Sequence, residues 1–314
     1  MLKFILRRLF FEALPTLFVI ATLTFFMVRL APGGPFSREK QVSAEVQRRL
    51  DAYYGLDKPL VVQYGRYLAN VARGDLGPSF KHATESVNSL IARAFPVSLE
   101  LGLWALLFAI VTGIGAGIVA SLRPNTWTDA GPMTLAMAGI CLPSFVLGPL
   151  LLLLFGLTLG WVNVAGWNTA GDRILPAITL GAGYAAYLAR LTRAGMRDIL
   201  SQDFIRTARA KGVSEHNVIY DHALGNALMP TITIIGMDVG TLLGGVVLTE
   251  TVFSIPGMGR LLVEAINQRD TPCVLGILVV MAICVAVSNL IVDLIYAYID
   301  PRIRAQYGAK ARKA

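Results

Sequence analysis

The sequence has 314 residues, of which 55% are hydrophobic and only 15% are charged, and its mean hydropathy is +0.60. This composition excludes an ordinary soluble domain and is typical of an integral membrane protein. Lys and Arg exceed Asp and Glu by 28 − 20 = 8. In a membrane protein such an excess marks cytoplasmic loops, and because no basic patch alternates with aromatic residues, no nucleic-acid partner is expected.

Six stretches are apolar enough to cross a membrane as helices, each of which needs about 20 residues. The predicted spans are 9–30, 98–122, 133–160, 174–196, 223–249 and 271–299. The first follows basic residues like a signal peptide, but no convincing cleavage site comes after it, so we expect a retained anchor. The predicted fold class is therefore all-α, a polytopic membrane protein with six transmembrane helices that is surrounded by membrane lipid.

The positions of the basic residues predict how the chain is oriented. They gather at the N-terminus (1–8), in the loop 197–222 and in the tail (300–314), which six spans place on one side of the membrane. The positive-inside rule assigns that side to the cytoplasm. We therefore expect both termini in the cytoplasm, and the segments 31–97 and 250–270 outside.

The first outer segment predicts short amphipathic helices. Ser43 can cap a helix that Gly55 ends, and apolar residues from Leu60 to Val71 repeat the pattern before Gly74. The stretch Val87 to Ala94 has a similar apolar face. Such helices either pack on the outer ends of the spans or offer a docking surface to an extracellular partner.

Small residues recur at helical spacing within two of the predicted spans. They are Gly113 and Gly117 in the second span, and Gly236, Gly240 and Gly244 in the fifth. Glycines at this spacing let helix backbones approach closely, so they predict tight packing within the chain or, alternatively, between chains.

Asp238 is the one carboxylate near the middle of a predicted span. An ionisable group inside a membrane is a functional hypothesis by default, so Asp238 is a candidate residue of a transport pathway. A proton-coupled secondary carrier would use such a group. The alternative is a hydrogen-bonded or water-facing Asp with a structural role.

Sequence motifs for nucleotide or hydrolytic chemistry are missing from the chain. It contains no G-x-x-x-x-G-K-[ST], no G-x-S-x-G and no H-E-x-x-H. Its three Cys lie in apolar runs and its three His lie outside the spans, which disfavours a metal site. We expect no catalytic, cofactor-binding or metal-binding residues, so energy for transport must come from an ion gradient or from another polypeptide.

The stretch QDFIRTARAKGV (202–213) predicts a short cationic helix between two apolar spans. Asp203 is the expected N-cap, Phe204 to Lys211 contains good helix formers, and Gly212 suits a left-handed closing position. Ser214 can then cap a second helix. The cationic helix either lies on the anionic inner leaflet or inserts into a cytoplasmic partner, with Phe204 or Ile205 as its apolar anchor.

This segment, FIRTARAKG (204–212) with Ala223 to Pro230, resembles the EAA loop of binding-protein-dependent ABC importer permeases. Other motifs look like the peptide/nickel permease family. They are MLKFILRRL, RLAPGGP, YGLDKP, GDLGPSF, the GG–TE–F–PGMG–L pattern from Gly244 to Leu261, Arg269-Asp270 and Asp300-Pro301-Arg302. RLAPGGPF, FPVSLELG and GWN are most similar to oligopeptide members. Arg206 stands where the general EAA pattern has glutamate, so no salt bridge from that glutamate is expected.

The resemblance implies the type I ABC importer permease architecture in the bacterial cytoplasmic (inner) membrane. The chain would form half of an oligopeptide pathway, with a homologous second permease, two cytoplasmic ATPases that bind ATP and Mg, and an extracytoplasmic peptide-binding protein as partners. A dipeptide, nickel or glutathione permease and a purely structural membrane scaffold are the alternatives.

The resemblance also implies roles for two groups of residues. The expected ATPase-coupling helix consists of Phe204, Ile205, Arg206, Thr207, Ala208, Arg209, Ala210, Lys211 and Gly212. The expected outer gate or binding-protein contact consists of Glu250, Phe253, Pro256, Gly257 and Gly259.

Overall fold

The computed structural model describes residues 5–6, 8–30, 55–82 and 84–299, and these residues are mostly helical. Their one β-type pairing is an isolated bridge between Pro78 and Ser86. The helices are α1 (Leu14–Leu30), α2 (Leu60–Ala72), α3 (Val87–Leu122), α4 (Trp127–Cys141), α5 (Ser144–Leu151), α6 (Ile174–Leu200), α7 (Asp203–Ala210), α8 (Met229–Val252), α9 (Met258–Gln268) and α10 (Thr271–Ile299). The predicted helix after Ser43 and the tail 300–314 lie outside the described residues.

Among the described residues, four helices are long and apolar enough to cross a membrane. They are Leu9–Leu30, Val87–Leu122, Ala170–Leu200 and Thr271–Val292. A fifth candidate is the pair Trp127–Cys141 and Ser144–Thr158, which is bent by 110°. These lengths and compositions agree with a multi-pass membrane protein, whereas the count of six spans stays a prediction.

The bent pair interrupts the stretch 133–160, for which one span is predicted. α4 already begins at Trp127 and ends at Cys141, and Leu142 is extended, with φ −93° and ψ 111°. The next residue is Pro143, whose ring disfavours the helical conformation for the residue before it. The helical path therefore turns at this dipeptide.

Two other predicted segments differ in their secondary structure from the expectation. The amphipathic stretch Val87 to Ala94 is the beginning of α3, a single 36-residue helix that contains Pro96, and is not a separate outer helix. The predicted loop 250–270 is largely helical, because α8 continues to Val252 and α9 forms immediately afterwards. In both places apolar residues at helical spacing have a packing partner, which extends or forms the helix.

The predicted fifth span, 223–249, is interrupted in the structure. A π-helical turn covers Val218–Leu224, a short helix follows at Gly225–Ala227, and α8 begins only at Met229. Pro230 lies in the first turn of α8, where a missing backbone N–H costs little because that turn has no intrahelical acceptor for it.

One compact unit contains the described residues up to 97 together with 256–286. Its core joins the start of α3, α9 and the start of α10 through Val87, Leu90, Ile91, Ala94, Met258, Leu262, Ala265, Cys273, Val274 and Ile277. Asp270, buried between α9 and α10, accepts hydrogen bonds from the Ser79 hydroxyl and, at 3.1 Å, from the Phe80 N–H. These bonds fix the segment GDLGPSF to the beginning of α10.

Helix α2 packs on α1 within the same unit. The rings of Phe25 and Tyr64 have centroids 5.4 Å apart, and the Tyr64 hydroxyl lies 2.7 Å from Thr22 Oγ1. Gly55 and Gly74, which flank α2, have φ of 68° and 75°. The predicted amphipathic helix between these two glycines is therefore present, with its aromatic side on the first span.

The second compact unit contains residues 98–255 and the described residues from 287 onward, and α3, α4, α5 and α8 pack on α6 in it. Glycines bring the backbones together. A Cβ added at Gly113, Gly181 or Gly195 would lie 2.6 Å from the carbonyl oxygen of Ala185, Ala105 or Ala227, respectively. A Cβ at Gly117 would lie 2.6 Å from the Ala189 oxygen and from Thr192 Cβ. Real Cβ atoms do not approach other atoms this closely. A larger residue in place of one of these glycines would therefore force the packed helices apart.

Gly117→Ala is expected to destabilise the protein, because the new methyl group would push α3 away from α6. Overpacking of this kind costs about 1–3 kcal/mol. Gly115→Ala is the matched control, since no described atom lies within 4 Å of its added Cβ and alanine favours a helix over glycine by about 1 kcal/mol. Thermal unfolding in detergent should show a lower midpoint for Gly117→Ala and an equal or higher one for Gly115→Ala. Equal midpoints for both variants would contradict the packing argument.

Candidate functional site

The predicted cationic helix is present as α7, and its residues divide into a buried and an exposed face. Ile205 and Ala208 are buried against Met196 of α6 and against Val218, Ala223 and Ala227 of the following segment. The exposed residues are Phe204, Arg206, Thr207, Arg209, Ala210, Lys211 and Gly212. Ile205 therefore anchors the helix to its own chain, which leaves Phe204, 41% exposed, as the apolar side chain available to a partner.

The N-terminus of α7 differs by one residue from the prediction. Gln202 occupies the N-cap position, and Asp203 is the first residue of the helix. There its carboxylate lies at the positive end of the helix dipole and 3.3 Å from Arg206 Nη1. This ion pair is exposed and contributes little to stability, so Arg206 stays available at the surface.

The C-terminus of α7 closes as the sequence predicts. Gly212 has φ of 78°, and its N–H donates to the Arg209 carbonyl oxygen at 3.0 Å. The Val213 N–H then donates to the Ala208 oxygen at 3.3 Å. Ser214 caps the next turn by accepting a hydrogen bond from the Asn217 N–H at 3.4 Å. The two turns are thus joined by a defined bend.

Arg209 connects α7 to the turn that follows the bend. Its guanidinium donates to Glu215 through Nε at 2.6 Å and through Nη2 at 3.2 Å. This hydrogen-bonded guanidinium lowers the pKa of the Glu215 carboxyl, and the carboxylate in turn raises the pKa of Arg209. A carboxylate with a lowered pKa stays ionised at neutral pH, and the pair is lost only as the pH falls through that lowered pKa.

Two of the residues predicted for the outer gate lie in the second unit, and both are buried. Glu250 is fully buried near the end of α8 and accepts a hydrogen bond from the buried Ser98 hydroxyl at 2.5 Å. Phe253 follows the helix, and its carbonyl oxygen accepts from the Gly166 N–H at 3.3 Å. A Cβ on Gly148 would lie 3.2 Å from the Phe253 ring, so this glycine makes room for the ring.

The remaining outer-gate residues, Pro256, Gly257 and Gly259, belong to the first unit. Pro256 is exposed, whereas both glycines are buried at the start of α9. Gly257 occupies the N-cap position of that helix, with φ −100° and ψ 179°. Asp238 lies in α8, but its side chain is outside the described part of the chain, so its pathway role stays a prediction.

Sequence reasoning missed two polar clusters in the second unit. Glu100 of α3 accepts from Trp167 Nε1 at 2.8 Å and from Arg173 Nε at 2.7 Å, and the guanidinium lies 4.9 Å from the Trp167 ring centroid. Asp129 of α4 accepts a fork of hydrogen bonds from Arg193 of α6. The motifs FPVSLELG and GWN pointed to the first cluster without indicating that their residues meet.

Two family models match the chain. The model described as binding-protein-dependent transport system inner membrane component matches residues 113–305, and the model for the N-terminal part of such components matches residues 1–102.

Curated relatives match along nearly the whole chain. It is 46% identical to the oligopeptide transport system permease protein OppB of Haemophilus influenzae, over 97% of this chain and 100% of the relative. It is 43% identical to the dipeptide permease protein DppB of Bacillus subtilis, over 97% and 98%. It is 40% identical to the glutathione permease protein GsiC of Escherichia coli, over 97% and 99%.

Two solved structures share the fold. One is an inward-facing MetNI methionine ABC transporter, with a TM-score of 0.56 and 18% identity over 67% of this chain and 96% of that one. The other is an amino acid ABC transporter, with a TM-score of 0.53 and 15% identity over 66% and 93%. At these identities the similarity concerns the fold alone.

Gly212→Ala is expected to loosen α7, because an L-residue is strained at φ 78° although no described atom lies within 4 Å of the added Cβ. Such strain costs about 1 kcal/mol or more, equivalent to about fivefold faster opening. Gly225→Ala is the control, since it also has free space but an ordinary φ of −57°. Hydrogen exchange of the amides in 203–213 should accelerate in Gly212→Ala only. Unchanged exchange in that variant would contradict the role of the left-handed bend.

Proposed function

Because the chain belongs to the family of inner-membrane components of binding-protein-dependent transport systems, we propose that it forms half of the translocation pathway of an ATP-driven oligopeptide importer. The observation that carries the proposal is the 46% identity to an oligopeptide permease over nearly the whole of both chains. The complete complex contains a homologous second permease, two cytoplasmic ATPases and an extracytoplasmic peptide-binding protein. ATP and Mg bind to the ATPases, and this chain contributes no catalytic residues.

In this proposal α7 is the coupling helix that a cytoplasmic ATPase grips. Two features support it. The buried Ile205 and Ala208 fix the helix to α6, while Phe204 projects as an exposed apolar anchor. The exposed Arg206 and Lys211 supply charges that fix the position of α7 on its partner. A movement of the ATPases would displace α7 together with the end of α6.

The outer ends of the spans form the gate that opens toward the binding protein. Glu250 and Phe253 lie where α8 ends, and the buried Ser98–Glu250 hydrogen bond ties that end to α3. Pro256, Gly257 and Gly259 begin the next helix. With six spans, both termini are in the cytoplasm, and the loop 197–222 that carries α7 is on the same side.

The substrate could also be a dipeptide or glutathione, since the chain is 43% and 40% identical to permeases named for these substrates. We favour oligopeptides because the identity to the oligopeptide permease is the highest of these three values. A pathway for peptides of varied side chains discriminates weakly, so the binding protein selects the substrate.

Phe204→Asp is expected to release the ATPases from the complex, because a carboxylate replaces the exposed apolar anchor of α7. The tagged chain is purified from its native membranes in mild detergent, and its partners are identified by mass spectrometry. Val61→Asp is the control, because Val61 is 80% exposed on α2 and is predicted to lie on the outer side.

The unmodified chain and Val61→Asp should recover a second permease and ATPases with a nucleotide-binding P-loop, whereas Phe204→Asp should recover the second permease alone. Equal ATPase recovery with Phe204→Asp would contradict docking through α7. Recovery of the unmodified chain without ATPases, together with uptake that Asp238→Asn abolishes, would instead favour a proton-coupled carrier.

Uptake of a labelled oligopeptide by vesicles that contain the complete complex and its binding protein is expected to require ATP. Unlabelled oligopeptides should compete, whereas a dipeptide or glutathione should not. Competition by glutathione or a dipeptide at the same concentration would reassign the substrate to one of those classes. Binding of each ligand to the isolated binding protein, measured by calorimetry, is the matching control.

A further inference from the structure

Helix α6 and the proposed coupling helix α7 form one packed body. α6 runs without interruption from Ile174 to Leu200, and only two residues separate it from α7. Met196 of α6 has no exposed surface and lies in the same cluster as Ile205 and Ala208 of α7. A displacement of α7 therefore has to move the last turns of α6 as well.

Arg193 lies one turn before Met196 and holds the first turn of α4. Its Nε donates to Asp129 Oδ1 at 2.5 Å and its Nη2 donates to Oδ2 at 2.6 Å. The Asp129 side chain is 5% exposed and that of Arg193 is 26% exposed. A two-pronged contact between a planar guanidinium and a carboxylate restrains orientation as well as distance.

The Asp129 carboxylate is itself held in place at the N-terminal end of α4. Asp129 Oδ2 accepts from the Asn125 N–H at 3.0 Å, and the Asp129 N–H donates to the Thr126 carbonyl oxygen at 3.0 Å. These bonds fix Asp129 to the backbone of the turn before α4, so a force on Arg193 acts on that turn and on α4 rather than on a loose side chain.

Apolar packing between α4 and α6 is close farther along the helices. A Cβ added at Gly139 would lie 3.0 Å from the Ala182 oxygen, and Ala136 packs against Ala186 and Ala189. At the Asp129 end, by contrast, an open groove of about 380 Å³ lies between Met133, Met137 and Arg193. The ion pair thus joins the two helices beside this groove.

We propose that Asp129 and Arg193 are positioning residues that transmit the displacement of the coupling helix into α4 and the bent segment that follows it. The proposal rests on the proposed importer function. Without the two hydrogen bonds between Arg193 and Asp129, α6 would move with the ATPases but α4 would not move fully with it. ATP would then be hydrolysed without a full opening of the pathway. The measurable consequence is more ATP hydrolysed for each peptide imported.

The test uses the complete complex reconstituted in lipid vesicles with its binding protein, and measures ATP hydrolysis and peptide uptake on the same sample. Asp129→Asn removes the charge but keeps the shape, and Arg193→Lys keeps the charge but removes the fork. Asp198→Asn is the control, because Asp198 is an exposed carboxylate on α6. We expect the ATP-to-peptide ratio to rise at least about threefold in both test variants, within the range that mutations along a coupling path produce, and to stay unchanged in the control.

An unchanged ratio in assembled complexes of both variants would overturn the proposal. If Asp129→Asn does not assemble, Arg193→Lys decides by the same ratio, and loss of assembly in both variants would mean that the pair only holds the fold. A partial return of the ratio in the charge-exchanged double variant Asp129→Arg, Arg193→Asp would support direct coupling. Failure of the unmodified complex to import peptide would contradict the importer function itself, whereas a normal ratio in the variants beside working import contradicts only this inference.

Discussion

Close backbone contact around α6 is the constraint on which the second unit depends. In a bilayer no hydrophobic force drives helices together, because lipid tails are as apolar as the side chains they would replace. Association then relies on van der Waals contact, which Gly117 and Gly195 allow by bringing α3 and the segment before α8 onto the backbone of α6. Because these glycines fix the position of α6, the side chains at its end, Arg193 and Met196, can meet partners from other helices.

Local chemistry predicted the features that depend on one stretch of chain. The apolar pattern from Leu60 to Val71 gave the right helix, and Gly55, Gly74 and Gly212 take the left-handed conformation that glycine alone adopts without strain. Local signals were less reliable where tertiary packing decides. The predicted division between the outer segment 31–97 and the span 98–122 falls inside α3, next to Pro96, since packing of the helix on both sides of the proline outweighs one missing hydrogen bond. The turn after Leu142 could have been predicted from the proline that follows it.

The candidate site was predictable in its position but not in its contacts. The sequence indicated α7 and its closing glycine, yet both Phe204 and Ile205 looked like anchors for a partner. Only the arrangement of Met196 and Val218 shows that Ile205 belongs to the protein's own core. Pairs that are distant in sequence gave no local signal at all: Ser98 and Glu250 are 152 residues apart, and Asp129 and Arg193 are 64 residues apart. A carboxylate near the end of a span looks tolerable by itself, so its sequence context does not predict a buried partner.

The short length of α7 explains why its buried face matters to the docking proposed for it. An isolated helix of eight residues is not stable in water, because nucleation is costly and few hydrogen bonds follow it. Here Ile205 and Ala208, packed on α6, and the closing bend at Gly212 hold the helix before any partner arrives. The conformational entropy of forming the helix is therefore lost on folding and not on binding, which favours binding by the preorganised exposed face. The same packing makes α7 an extension of α6, so in the proposed importer an ATPase that moves this short helix would move α6 as well.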